Sequence, residues 1–247
     1  MQKIDRESPI PVYYQIAVDM RRRIQMQEWH INQQLPSEPD LASMYRVTRV
    51  TMRQALSELE KDGLLKRQRG SGTFVNEQPK PLIYDLGLPV SFSKRIIEMG
   101  YKPEAQILDA QVFPDPFPDI ANQLRLHSNE PVAYLKRLLT ADRLPVAIDR
   151  SWFSDKLCPG ITTTPLIQHS ISQTLSSRYK LIPIRSETIF ESTRASIRDA
   201  KILDSHPESP LILLTTVTFL KNGTPVEYST TSWLGERVRF HLKFNSH

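Results

Sequence analysis

The sequence predicts an α+β protein in two parts, a small helical unit closed by a β-hairpin and a larger unit of strands interleaved with helices. Three observations predict it. Apolar residues recur at helical spacing in two segments before residue 63 with a capped short helix between them, a glycine-rich tip then joins two short apolar runs, and from residue 107 onward seven strand-like runs alternate with helix-like ones. The 247 residues, 39% hydrophobic and 24% charged, carry enough apolar material for sizeable cores and argue against a disordered or coiled-coil chain.

The first helix spans Pro11 to Met26, where Tyr13, Ile16, Ala17, Met20 and Ile24 form one stripe with Arg21, Arg22 and Arg23 mostly off it. Ser37 is an N-cap for a short second helix, with Asp40 three residues on and Pro39 tolerated in the first turn, running to about Tyr45. Thr48 caps a third helix whose Met52, Ala55, Leu56 and Leu59 make an i, i+3, i+4, i+7 stripe, and Gly63 stops it. Leu64 to Gln68 and Thr73 to Val75 are strands around Arg69-Gly70-Ser71-Gly72. The domain boundaries expected are residues 1–76 for this unit, 77–89 for a proline-containing linker and 90–247 for the second unit.

In the second unit a helix is expected at Ser91–Met99. Strands are expected at Ile107–Phe113, Val132–Thr140, Pro145–Phe153, Arg185–Glu191, Leu211–Leu220, Pro225–Trp233 and Val238–Phe244. Further helices suit Asp119–Leu126, Pro165–Tyr179 and Ser196–Leu203. Hairpins are expected at Asp142-Arg143-Leu144 and at Lys221-Asn222-Gly223-Thr224. Both hairpin regions carry an acidic residue and a serine before a tryptophan (Asp149, Ser151, Trp152; Glu227, Ser229, Trp233), a pattern compatible with internal duplication.

Charge points to a partner. From Arg46 to Arg69 seven basic residues face three acidic ones, whereas the chain as a whole carries only +5. The third helix turns its apolar stripe inward and leaves Val50, Arg53, Gln54 and Ser57 on the opposite face, with Arg49 at its start. Arginine grips a guanine edge or a phosphate, threonine hydroxyls suit phosphate oxygens, and an exposed Val50 can meet a thymine methyl. Lys66, Arg67 and Arg69 flank the glycines of the hairpin, a composition suited to lying along a minor groove. A helical subdomain with a merely solvated basic face is the alternative.

These residues carry a resemblance. Leu35-Pro36-Ser37-Glu38, Val47-Thr48-Arg49-Val50-Thr51-Met52-Arg53-Gln54-Ala55-Leu56 and Arg69-Gly70-Ser71-Gly72-Thr73-Phe74-Val75, in that order, resemble the winged helix-turn-helix of the GntR family of bacterial transcription regulators. The resemblance implies double-stranded DNA as partner, with contacts from Thr48, Arg49, Thr51 and Arg53 and from Gly70 at the wing tip; Ser37, Val50 and Arg69 complete the candidate DNA-binding set. Pro39 stands where relatives usually have a DNA-contacting arginine. Leu88-Pro89-Val90-Ser91-Phe92-Ser93, Leu135-Lys136-Arg137, Pro145 to Ser151 and Pro225-Val226-Glu227-Tyr228-Ser229 are similar to the UTRA effector-binding domain of the HutC subfamily. That domain implies a chorismate-lyase-like α+β fold and a metabolite pocket, here from Ser91, Phe92, Ser93, Arg137, Asp149, Ser170, Lys180, Glu227 and Trp233.

The same residues make chemical sense without the resemblance. Amides at the start of the Ser91 helix and Arg137 favour an anion, Asp149 and Glu227 accept from sugar hydroxyls or an amine, and Trp233 offers a ring face. Each also has a plain structural reading, as cap, surface charge or core. Leu139 stands where sugar-phosphate-binding relatives often have a second arginine, which weakens the phosphate reading unless Lys180 compensates and leaves carboxylates open. The six histidines show no metal-ligand spacing, no nucleophile elbow or phosphate-cradling glycine loop occurs, and lone Cys158 offers no disulfide or cysteine-based zinc site, so neither a metal nor a cofactor is expected. With no signal peptide or membrane span in the pattern, a reduced cytoplasmic protein is expected. The function expected is a homodimeric, metabolite-responsive repressor on a pseudo-palindromic operator, released by a small anionic effector such as a sugar phosphate. Two alternatives stay open, a DNA-tethered lyase-like enzyme and a structural DNA-binding protein that senses nothing.

Overall fold

The computed structural model describes residues 4–68, 70–76, 82–85, 91–127 and 130–242. The chain divides into two units, Met1–Lys80 and Pro81–His247.

The first unit holds α1 (Val12–Gln25), α2 (Glu38–Tyr45), α3 (Arg49–Lys61), β1 (Leu65–Gln68) and β2 (Gly72–Val75), the last two pairing antiparallel. The expected stripes form its core: Ile16, Ala17, Met20 and Ile24 of α1 meet Leu41 and Ala42 of α2 and Met52, Ala55, Leu56 and Leu59 of α3. Polar clamps fix the helices as well as apolar contact does. Asp19, fully buried on α1, accepts from Tyr45 Oη at 2.8 Å and from Arg22 Nη2 at 2.9 Å, while Arg21 pairs with Asp62 at the end of α3. Between α2 and α3 the chain turns at Arg46, which adopts a left-handed conformation (φ 53°) that ends the helix within one residue.

The second unit is built on a six-stranded antiparallel sheet. Its elements are β3 (Leu82–Asp85), α4 (Phe92–Glu98), β4 (Pro103–Phe113), α5 (Pro118–Leu124), β5 (Val132–Ala141), β6 (Leu144–Ser154), a 3-10 turn (Ile167–His169), α6 (Ile171–Arg178), β7 (Arg185–Arg194), α7 (Ile197–Ile202), β8 (Pro210–Phe219), β9 (Pro225–Leu234) and β10 (Val238–His241). The strand order is β4-β5-β6-β9-β8-β7, and β3 and β10 form a separate parallel pair.

One expectation is corrected here: residues 77–89 were to be linker throughout, but Leu82–Asp85 is a strand within the second unit. Its pairing partner, Val238–His241, lies more than 150 residues on, so no local pattern announces it. The β5–β6 hairpin turns through Asp142 and Arg143, both at positive φ, and the two hairpins β5–β6 and β8–β9 adjoin through β6 and β9. Ser151 stands opposite Ser229, but Trp152 and Trp233 point to opposite sheet faces, so the two hairpins match in their Asp149-Ser151 and Glu227-Ser229 pairs only.

The two faces differ. On one, Tyr134, Trp152 and Tyr228 form an aromatic row with centroid spacings of 5.2 and 5.3 Å, α5 packs against Val132, and Asp199 of α7 holds Arg150 with two 2.8 Å bonds. On the other, the core of Leu139, Ala147, Leu214 and Trp233 meets Tyr84 of β3 and Ile96 of α4, and α6 packs Ile171 and Leu175 against Leu135. Between these covering pieces that face is left open as a cavity.

Candidate functional site

The cavity, about 590 Å³, lies wholly within the second unit. The period of two along antiparallel strands builds its floor in rows: Arg137, Asp149, Thr231, Leu214 and Phe190 stand side by side across five strands, and Thr188, Thr216 and Ser229 form the next row with Ser151. Ser186, Thr218 and Glu227 make a third. Most of one wall is therefore hydroxyl, and Thr188 and Thr216 bond to each other at 3.1 Å.

Charge is concentrated at the β5–β6–β9 end. Arg137 and Asp149, both over nine-tenths buried, pair through Nε (3.1 Å) and Nη2 (2.7 Å) to the same Oδ2. Asp149 also accepts from Ser151 Oγ at 3.0 Å and, on Oδ1, from Thr231 Oγ1 at 3.0 Å. Glu227 is bonded to Ser151 Oγ at 2.8 Å. Burial, reinforced by the nearby Asp149 charge, pushes its carboxyl up to about 7, against weaker opposing effects of Ser151 and Arg137.

Eight of the nine expected effector residues line this cavity: Ser91, Phe92, Ser93, Arg137, Asp149, Ser170, Glu227 and Trp233. Several have structural duties too. Ser91 caps α4 by accepting from Lys94 N, and Ser170 caps α6 by accepting from Gln173 N. Trp233 is both core and lining, packed against Tyr84 at 4.7 Å between centroids. Lys180 is the exception and corrects the expectation. Just past the end of α6 it takes a left-handed conformation, its Nζ turns back to the Ser177 carbonyl at 2.9 Å, and the residue is exposed outside the cavity.

Sequence reasoning missed Arg95. It is buried, lines the cavity and lies 4.9 Å above the Tyr84 ring. The signal was present: Phe92, Arg95, Ile96 and Met99 fall at i, i+3, i+4 and i+7, so the arginine sits on the inward stripe of a short helix. Leu139, in the place of the second arginine of sugar-phosphate binders, is apolar wall. The second cation is thus supplied by α4 instead of β5. Tyr84 was missed with its strand, and its hydroxyl is held above the usual tyrosine range by burial.

The first unit presents a different kind of site. Thr48 caps α3, accepting from Thr51 N at 3.2 Å, and its hydroxyl lies 2.9 Å from that of Thr51. Arg49, Val50 and Arg53 are exposed, Val50 at 65%. Arg53 pairs with Glu38 (2.8 and 3.2 Å), which holds that carboxyl below its ordinary range. Ser37 caps α2, accepting from Asp40 N. Gly70, at φ 79°, stands in open space at the hairpin tip, and Arg67 pairs with Glu60. Arg69 lies outside the described residues. Pro39 is accommodated in the first turn of α2.

Cys158 is buried, and its thiol is pushed up to about 12 by burial, with Glu227 and Asp155 adding to the shift. Among the described residues no group of three histidine, cysteine or acidic side chains is arranged to hold a metal, and no helix is long and apolar enough to cross a membrane.

Comparison with known proteins agrees with both units. Residues 12–75 match the gntR family of bacterial regulatory proteins, and residues 98–239 match the UTRA domain. The HTH-type transcriptional repressor NagR of Bacillus subtilis is 33% identical over 238 residues, covering 96% of each chain. The mannosyl-D-glycerate transport/metabolism system repressor MngR of Escherichia coli is 27% identical over 233 residues, covering 94% of this chain and 95% of MngR. The fold is similar to that of PhnF from Mycobacterium smegmatis, with a TM-score of 0.63 at 22% identity over 94% of this chain and all of that one. The chain belongs to the GntR family of bacterial transcription regulators, in the group that couples the helix-turn-helix to a UTRA domain. It is a DNA-binding regulator whose second domain responds to a metabolite.

Proposed function

We propose that this regulator is a repressor released from its operator when a small, anionic, polyhydroxylated metabolite fills the cavity. The observation that carries this reading is the cavity's composition: two guanidiniums, Arg95 and Arg137, at the end of a wall of serine and threonine hydroxyls. Such a surface suits a sugar phosphate or a sugar acid, with the anion near the arginines and the hydroxyls along the rows. The relatives' names agree in kind: NagR is a transcriptional repressor, and MngR is the repressor of a transport and metabolism system for mannosyl-D-glycerate, a sugar acid conjugate. A thermal-shift screen of sugar phosphates, sugar acids and amino sugars tests it. A ligand at 100 times its dissociation constant adds about 2.7 kcal/mol, and the same compound must weaken operator binding; a stabilising compound that leaves operator binding unchanged sinks the reading.

On the DNA side, the contacts we propose are Arg49 and Arg53 to base edges or phosphates, Val50 to a thymine methyl, Thr48, Thr51 and Ser37 to phosphates, and Gly70 with Arg69 at the wing. Arg53 would exchange Glu38 for DNA on binding. Val50, apolar and 65% exposed in the first turn of α3, supports this as a group able to meet a thymine methyl.

We infer a homodimer on a pseudo-palindromic operator. Strand β7 supports it: all ten residues are exposed at a sheet edge, with Ile189 at 64% and the preceding Ile182 and Ile184 at 65% and 56%. A second copy pairing along that edge would satisfy its backbone and cover these side chains. Ile189→Lys should shift the protein to monomer by sedimentation analysis and weaken operator binding. The domain limits we propose are 1–76 and 82–247, and the reading is of a binding protein without turnover, supported by Asp149, which is ion-paired to Arg137 and held by four hydrogen bonds and so is a weak base or nucleophile.

A further inference from the structure

Ser151 stands between two carboxyl groups, with Oγ 3.0 Å from Asp149 Oδ2 and 2.8 Å from Glu227 Oε1. A serine hydroxyl has one proton to give and two lone pairs. Were both carboxyls ionised, both oxygens would be acceptors only, and just one of these contacts could be a hydrogen bond. The other would press two electron-rich oxygens together in a buried place, where an unmade bond is costly. A further proton therefore belongs in the chain of three groups.

Asp149 is not its holder. Its Oδ2 accepts from Nε and Nη2 of Arg137, and its Oδ1 accepts from Thr231, which together with Ser151 makes four donors, two of them on a cation. Among the described residues Glu227 has only Ser151 as a hydrogen-bond partner. We propose that Glu227 carries a proton at neutral pH and donates it to Ser151, which donates to Asp149, and that this neutral glutamic acid sets the cavity's preference for anions. The inference rests on the reading of the cavity as the effector site.

The charges facing Glu227 come from every side of the cavity. Arg137 stands on β5, Asp149 on β6 and Arg95 on α4; Tyr84 on β3 and His169 in the turn before α6 also line the space, and Cys158 lies near enough for Glu227 to raise its thiol. Strands β7 and β8 contribute only the uncharged Ser186, Thr188, Phe190, Leu214, Thr216 and Thr218. With Glu227 neutral, two guanidiniums face one carboxylate. With Glu227 ionised, the charges cancel and an anion loses its net attraction. The desolvation that pushes Glu227 up to about 7 is independent of the proton count and agrees with it.

The test is NMR of the full chain labelled at glutamate Cδ, titrated from about pH 5 to 9, with the Glu227 resonance assigned by its loss in both Glu227→Gln and Glu227→Asp. A midpoint near neutrality is expected; one in the ordinary glutamate range overturns the proposal. Sulfate, whose charge is constant over this range, then serves as anion probe. Its dissociation constant should become roughly three- to tenfold weaker across the titration in the wild type and stay flat in Glu227→Gln, which keeps His169 and both arginines. An equal loss in Glu227→Gln overturns the role in anion preference. Absence of sulfate binding at every pH, with a neutral midpoint, would instead fail the anion-site reading and leave the proton on Glu227 standing.

Discussion

The two polar sites differ most in how their charges are held. On α3 the arginine is displayed: the Arg53 side chain is 62% exposed, and its ion pair with Glu38 is in water. In the cavity the arginine is embedded: the Arg137 and Asp149 side chains are 9% and 8% exposed and meet at 2.7 Å. A surface pair contributes little and parts readily, which suits the transfer to a polyanion proposed for Arg53. A buried pair parts only when a ligand replaces what is lost, which suits a site that must discriminate. On the proposed reading the same residue type would serve affinity in one unit and selectivity in the other.

The contrast can be broken most forcefully at the buried pair. Arg137→Ala leaves Asp149 charged and buried, so the second unit should lose about 3 to 5 kcal/mol in chemical denaturation, whereas Arg137→Met with Asp149→Leu should recover much of it. If the single and double variants are equally unstable, the pair is not what holds that end of the sheet. In the first unit a comparable loss requires the core, not the charges. Met52→Ala, at a fully buried position, should cost about 2 to 5 kcal/mol and melt the DNA-binding unit. Arg53→Ala should leave the melting of that unit unchanged and weaken operator binding roughly ten- to a hundredfold.

Linkage sharpens the comparison further. Glu227 binds its proton more tightly folded, near pH 7, than unfolded, in the ordinary glutamate range, so its contribution to stability is fully present below the unfolded value and is lost as pH rises toward and through 7. The loss amounts to up to about 3 kcal/mol. Glu227→Gln should abolish this part of the pH profile, and an unchanged profile would place the titrating group elsewhere. The smallest effect belongs to a cap: Thr48→Ala removes the acceptor for Thr51 N and should cost about 1 kcal/mol, read as a small loss in the melting of the first unit.

The first unit was legible because its information is local. Caps at Ser37 and Thr48, the stripe of α3 and the glycines of the hairpin all lie within a few residues of what they organise. What the sequence hid there was polar, the buried Asp19 clamp to Tyr45 and Arg22, because an aspartate on a helix gives no sign of its partner 26 residues away. The cavity was legible residue by residue through period-two strands and the family resemblance, but its assembly was not. Lys180 was expected inside because the family resemblance puts a pocket residue at its position, yet it follows α6 in a left-handed conformation and lies exposed outside the cavity. Arg95 supplies the second cation from an inward helical position whose meaning depended on which sheet the helix would cover. Strand β3 escaped altogether, since four residues flanked by proline and glycine become a strand only when β10 arrives from the far end of the chain.

That late-paired strand has a mechanical meaning. Strand β3 is the first strand of the second unit, and it carries Tyr84, whose ring rests on Trp233 in the cavity lining. The two-stranded pair β3–β10 spans only four residues and is the least reinforced sheet of the second unit. An effector leaning on Tyr84 would therefore load this short pair directly, as a hand on a latch. Slower or faster amide exchange in Leu82–Asp85 on ligand binding would reveal that load while the six-stranded sheet, the stiff frame behind it, holds still.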